Sequence, residues 1–132
     1  MSFDFENARD LMVETQLRPN KINNPILLNI FKTTKKEDFV DEPLKKTSYF
    51  DSDINLDSNR GYLKTLHIAQ MIEMAEINNE DKILHIGGMT GYVSSLLAQL
   101  CKYLFVLENK KNFLEILKKN LNNLNLNNVS II

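Results

Sequence analysis

A single cysteine, Cys101, excludes an internal disulfide and a cysteine-built zinc site. Set between Leu100 and Leu104, it reads as a small buried hydrophobe rather than a reactive thiol. With only two histidines beside it, there is no material for a metal cluster and no Cys-His or Ser-His-Asp arrangement, so no metal is expected. No apolar run reaches bilayer length, and the opening MSFDFENARD is acidic where a secretory signal would be basic and then apolar. A cytoplasmic protein with no membrane partner is expected. Charge of one sign is also missing: 16 basic residues meet 17 acidic ones for a net −1, which argues against a nucleic-acid partner.

What is present is the ordinary balance of a globular protein, 43% hydrophobic and 25% charged, in 132 residues. Phe5, Ala8, Leu11 and Met12 recur at helical spacing, and the pattern runs to Leu17 before Arg18-Pro19-Asn20 breaks it. Asn24 and Pro25 form a cap and first-turn pair, predicting a second, short helix with Ile26, Leu27, Ile30 and Phe31 on its apolar face. From Thr33 to Arg60 the periodicity fades; loops are expected, with a short strand near Tyr49 and Phe50. A third helix follows from about Leu66 to Ala75, with Ile68, Met71, Ile72 and Ala75 on one side and the methionines filling core.

After Asn78-Asn79-Glu80-Asp81 the texture changes. Lys82 to Ile86 reads as a strand, Val93, Leu96, Leu97 and Leu100 as a helix, and Leu104 to Leu107 as a strand. Phe113, Ile116, Leu117, Leu121 and Leu124 then mark a helix, and Val129 to Ile132 a last strand. The order βαβαβ implies a parallel α/β sheet with right-handed crossovers. Lys110, Lys111, Lys118 and Lys119 read as the solvated face of the last helix, and Asn120 to Asn128 as its end and turn.

Between the first of these strands and its helix lies HIGGMTGY, with Gly87, Gly88 and Gly91 at the turn. Such a turn lets backbone approach a ligand closely. Glu108 ends the next strand, 21 positions after Gly87, near the spacing at which an acidic side chain takes ribose hydroxyls. The pair suggests a nucleoside-containing cofactor. The bland reading stands beside it: glycine turns also serve plain backbone geometry, and a carboxylate at a strand end is often only solvated. His85, on a buried strand, and His67 read as structural rather than catalytic residues.

The segments LMVETQLRPN, KKEDFVDEP, IAQMIEMAEINNEDKILHIGGMTGYVSSLLAQL and VLEN resemble, in residue type and in order, the protein-L-isoaspartate O-methyltransferase family, over about Phe5 to Ile132. The resemblance implies the class I, Rossmann-like fold of S-adenosylmethionine-dependent methyltransferases, here its N-terminal half preceded by a small helical segment. It implies esterification of isoaspartyl carboxylates in damaged proteins, with isoaspartyl-containing proteins or peptides as partners. Carried over by position, Gly87, Gly88 and Gly91 would lie against the cofactor and Glu108 would hold its ribose hydroxyls. Residues 1–60 would form a substrate-side cap and 61–132 the first half of the methyltransferase sheet, within one structural domain.

The chain departs from the family in ways that weaken this inheritance. His85 stands where an acidic residue is usual, and Met89 where a glycine is usual. Leu63 falls at the position of an active-site serine and Thr65 at that of a proline, so the catalytic residue is unknown and the resemblance is to a divergent bacterial branch. The sequence stops at what would be strand three, leaving KILHI as a sheet edge. Pairing through that edge is expected, with a second copy or with a C-terminal fragment. The alternative to an enzyme is a non-catalytic, partner-binding remnant of the family.

Overall fold

Caps and apolar spacing set the elements of the computed structural model, which describes residues 2–57 and 59–132. The chain forms two compact units, Met1–Ala75 and Glu76–Ile132. The boundary expected at residue 60 falls instead inside a hairpin that the first unit keeps whole.

In the first unit, helix α1 (Phe5–Met12) starts where the Asp4 carboxylate accepts the Asn7 N–H at 2.9 Å. It runs on as a wider π turn, Val13–Leu17, to the break expected at Arg18. Helix α2 (Pro25–Thr33) begins as the Asn24-Pro25 pair dictates: the Asn24 side chain accepts the Ile26 and Leu27 N–H groups. Helix α3 spans Thr65–Met74.

Several face assignments need correcting. Leu11, Ile26, Met71 and Met74 are exposed, while Arg9, Leu28, Thr65 and Ala69 are buried. The π turn makes room for this on the first helix, where Arg9, Met12, Val13 and Leu17 form the buried line. The stretch around Tyr49 is no strand. Two 3₁₀ turns, Lys36–Phe39 and Glu42–Thr47, lead instead into an antiparallel hairpin of β1 (Ile54–Asp57) and β2 (Arg60–Tyr62). Gly61 is required there, since a Cβ would stand 1.8 Å from the Ile54 carbonyl oxygen.

The second unit has the expected βαβαβ order. Strands β3 (Lys82–Ile86), β4 (Tyr103–Leu107) and β5 (Val129–Ile131) form a parallel sheet in the order β3-β4-β5, linked by α4 (Tyr92–Ala98) and α5 (Lys111–Asn123). Strand β3 pairs with β4 alone among the described residues. Register puts His85 beside Val106 and Ile83 beside Leu104 on one face. That face meets the helices: His85 bonds to Ser94 of α4, and Val106 and Leu117 of α5 close around Gly88. The α5 face is narrower than expected, with Phe113, Leu117 and Leu121 buried and Ile116 and Leu124 exposed. Cys101 is buried, and burial pushes its thiol up, as a structural cysteine should behave.

Candidate functional site

The turn between β3 and α4 is held from both sides. The Gly87 and Gly88 N–H groups donate to the Leu107 carbonyl at 2.7 and 3.3 Å, which fastens the turn to the end of β4. Asn120 of α5 donates to the Thr90 carbonyl at 2.8 Å. Three residues take left-handed backbone, Gly87 (φ 85°), Met89 (φ 50°) and Gly91 (φ 102°). For Gly87 and Gly91 that conformation explains glycine directly. A Cβ on Gly88 would come within 2.4 Å of Val106 Cγ1, so packing alone already requires glycine there. Met89 has no such freedom; a side chain is held where the backbone prefers none.

Glu108 follows the end of β4 and is 4% exposed. Its Oε1 accepts the Met89 N–H at 2.8 Å and its Oε2 accepts the Lys110 N–H at 2.8 Å. Glu108 thus lies beside the glycine turn and stitches it to the β4–α5 loop. A carboxylate is acceptor-only and offers about four acceptor positions, which is the chemistry a ribose diol takes. In donor and acceptor chemistry these residues fit the nucleoside end of S-adenosylmethionine.

His85 shares a hydrogen bond of 2.7 Å between its Nδ1 and Ser94 Oγ. Burial pushes the imidazole below its ordinary value, opposed by the charge of Glu108, so the ring is neutral near pH 7. It is the satisfied structural histidine expected from the sequence. His67 is exposed on α3.

In the first unit, Leu63 is exposed between β2 and α3. An apolar side chain there can neither move a proton nor bond a carboxylate. Thr65 is fully buried, and the Lys36 Nζ donates to its Oγ1 at 3.0 Å. Lys36 itself is 0% exposed, and burial pushes its amine down to about 8, with the charge of Asp53 opposing. Beside it, Arg9 donates from Nε to the Tyr49 hydroxyl at 2.8 Å and from Nη2 to Glu37 Oε2 at 3.0 Å. The Tyr49 hydroxyl donates to Glu37 Oε1 and accepts the Lys36 N–H at 3.0 Å. Burial first, then the bond to Glu37, pushes the phenol well above its ordinary value. Nothing in the periodicity signals this network, because KKED and FENARD read as solvated charge. Among the described residues no cluster of His, Cys, Asp and Glu could hold a metal, and no helix is long and apolar enough to cross a membrane.

Comparison with known proteins adds to this geometry. The model of the family described as protein-L-isoaspartate(D-aspartate) O-methyltransferase matches residues 7–132. A protein-L-isoaspartate O-methyltransferase of Protochlamydia amoebophila is 30% identical over 120 residues, 91% of this chain and 57% of that protein. Protein-L-isoaspartate O-methyltransferase 1 of Syntrophobacter fumaroxidans is 30% identical over 128 residues, 97% of this chain and 60% of that protein. The chain thus spans less than two thirds of these relatives' length. Among solved structures, a protein-L-isoaspartate O-methyltransferase superposes with a TM-score of 0.79 at 21% identity, covering 94% of this chain and 41% of that one. The Plasmodium falciparum structure, described as a putative member of the same family in complex with S-adenosyl-L-homocysteine, has a TM-score of 0.77 at 14% identity, covering 99% of this chain and 63% of that one. At such identities the structural likeness carries the fold: the α/β, Rossmann-like fold of class I methyltransferases, here in part.

Proposed function

The chain belongs to the protein-L-isoaspartate O-methyltransferase family, and from that premise we propose that it carries the cofactor-side half of a methyltransferase acting on isoaspartyl carboxylates of damaged proteins. The observation that supports this most is the Glu108 carboxylate, held against the glycine turn by the Met89 and Lys110 amides. When bound, S-adenosylmethionine supplies an electrophilic methyl group on a sulfonium. On the protein side, Glu108 accepts the ribose hydroxyls, and the backbone of Gly87, Gly88 and Gly91 forms the wall against which the cofactor lies. No proton-transferring side chain is assigned. A carboxylate is already a nucleophile, and transfer of a methyl group depends on alignment of oxygen, carbon and sulfur more than on acid-base help. The substrate is a protein or peptide carrying isoaspartate, and the setting is the cytoplasm.

A second reading, a partner-binding member of the family without catalysis, is favoured by two features. Leu63 leaves the expected serine position apolar, and Met89 crowds the turn with a side chain in left-handed backbone. Titration calorimetry of the folded chain with S-adenosylmethionine and with S-adenosylhomocysteine separates the two. Saturable binding at micromolar concentration, lost in Glu108→Ala, supports the cofactor half-site. Absence of heat from a sample with native circular dichroism overturns it in favour of the second reading.

A further inference from the structure

The first compact unit holds a cavity of about 320 Å³. Pro25, Leu28, Asn29 and Lys32 line it from α2, at the three- and four-residue spacing that gathers side chains on one helix face. Arg18 and Asn23, from the segment that leads into the helix, complete the lining. Leu28 is 3% exposed and, with the Pro25 ring, supplies apolar surface. The volume stands at the low end for ligand pockets, so it suits a small group rather than a large cofactor.

The polar part of the lining is rich in donors, a guanidinium, an ammonium and two carboxamides. Glu14 meets both cations: Arg18 Nε lies 2.9 Å from its Oε2 and Lys32 Nζ 3.4 Å from its Oε1. The bond from Arg18 holds the Glu14 carboxyl below the usual carboxylate range, so it is charged at neutral pH. Glu14 takes only the Nε edge of the guanidinium. Among the described residues nothing else bonds the Arg18 side chain, or the carboxamides of Asn23 and Asn29. The two terminal nitrogens of Arg18 remain as a planar fork, whose geometry grips a carboxylate through two parallel bonds. Charge selects the same group. Two cations against one carboxylate leave a single positive charge, which matches a second carboxylate and leaves a phosphate dianion half neutralised. We propose that this cavity binds a carboxylate on a short aliphatic stem, as carried by a small dicarboxylic acid or by a glutamate side chain of a peptide. Arg18 and Lys32 hold its charge, Asn23 and Asn29 bond its oxygens, and Pro25 and Leu28 face the stem. The site is separate in its residues from the glycine turn and stands independently of the cofactor reading.

The test is a titration of the isotope-labelled whole chain at low salt, followed by nuclear magnetic resonance. The probes are glutarate and a blocked tripeptide with a central glutamate; the methyl ester of that peptide is the neutral control. The expected result is a saturable shift of the Arg18 Nε–H and of the Asn23 and Asn29 side-chain amides with at least one probe, in roughly the millimolar range. Arg18→Gln or Lys32→Gln should weaken it about tenfold or more, and Asn29→Asp, which adds a carboxylate to the cavity, should abolish it. The Arg18 and Lys32 side chains are 48% and 37% exposed, so their variants keep the parent's circular dichroism. Binding of glutarate supports a free acid as the ligand, and binding of the peptide alone supports a polypeptide. The proposal is overturned if neither probe gives a saturable shift, if the methyl ester binds as tightly as the acid, or if inorganic phosphate binds more tightly than both. Binding indifferent to Arg18→Gln and Lys32→Gln overturns it as well. No cofactor enters the titration, so its outcome and that of the S-adenosylmethionine titration are read separately.

Discussion

At the scale of single residues, two positions work against the fold that holds them. Met89 takes φ 50° in a turn whose neighbours with positive φ are glycines. Left-handed backbone costs a residue with a Cβ about 1–2 kcal/mol, and glycine gives back part of this through its freer unfolded chain. Met89→Gly is therefore expected to stabilise the protein by about 0.5–1 kcal/mol, seen as a rise of a few degrees in melting temperature; an unchanged or lower value would show that the Met89 side chain makes compensating contacts. Lys36 is the second. Its amine titrates at about 8 in the fold against 10.5 for the ordinary side chain. Between those values the unfolded chain binds the extra proton, so stability rises with pH from about 8 to 10.5, and at neutral pH the fold carries the full cost, roughly 3 kcal/mol. Loss of the bond to Thr65 offsets about 1 kcal/mol of that. Lys36→Met should then be more stable than the parent by about 1–2 kcal/mol at pH 7 in denaturant titrations, with the advantage shrinking above pH 8. A constant difference across that range would mean that the lysine is not held against its charge.

At the scale of elements, the same network explains why part of the chain was legible and part was not. The βαβαβ order could be read because each strand is a short apolar run and each helix repeats its apolar residues at helical spacing. Asn24-Pro25 announced α2, and Glu108 was found by its distance from the glycine turn, because both signals are local in sequence. The segment between α2 and α3 was not legible. Its hairpin strands are only four and three residues long, too short for alternation to stand out, and its turns are fixed by long-range polar bonds from Arg9 to Glu37 and from Gln16 to the Tyr49 carbonyl. Pattern reading carries no signal for burying a charged residue; Arg9, Lys36 and Glu37 are each buried because another buried polar group satisfies it. Tyr49 is the centre, joining Arg9, Lys36 and Glu37 from different elements. Tyr49→Phe leaves the Arg9 Nε and the Lys36 N–H without this acceptor and should cost about 1–3 kcal/mol. The loss should appear in hydrogen exchange as earlier opening of α1 and the Lys36–Phe39 turn, with β3 and β4 unaffected at first. Uniform acceleration over both compact units would show that the network does not act locally.

At the scale of the whole molecule, near-neutral charge and the exposed apolar patch on the sheet act together. The net charge is −1 and the isoelectric point is about 6.1, so near pH 6 little repulsion keeps copies apart. Leu84 and Ile86 then present apolar surface on every molecule. Solubility of the chain alone is expected to pass through a minimum close to pH 6 and to climb toward pH 8. Replacing both residues with glutamate removes the most exposed part of the patch and takes the net charge from −1 to −3. Since neither side chain is packed, the change in stability should stay within about 0.5 kcal/mol per site. Precipitation by polyethylene glycol, read by light scattering at pH 7, would register the higher solubility of the double variant. Changing two exposed lysines of α5, Lys118 and Lys119, to glutamine shifts the net charge by the same two units without touching the sheet. If that control raises solubility equally, charge alone governs association; if only the sheet variant does, the uncovered face is the cause.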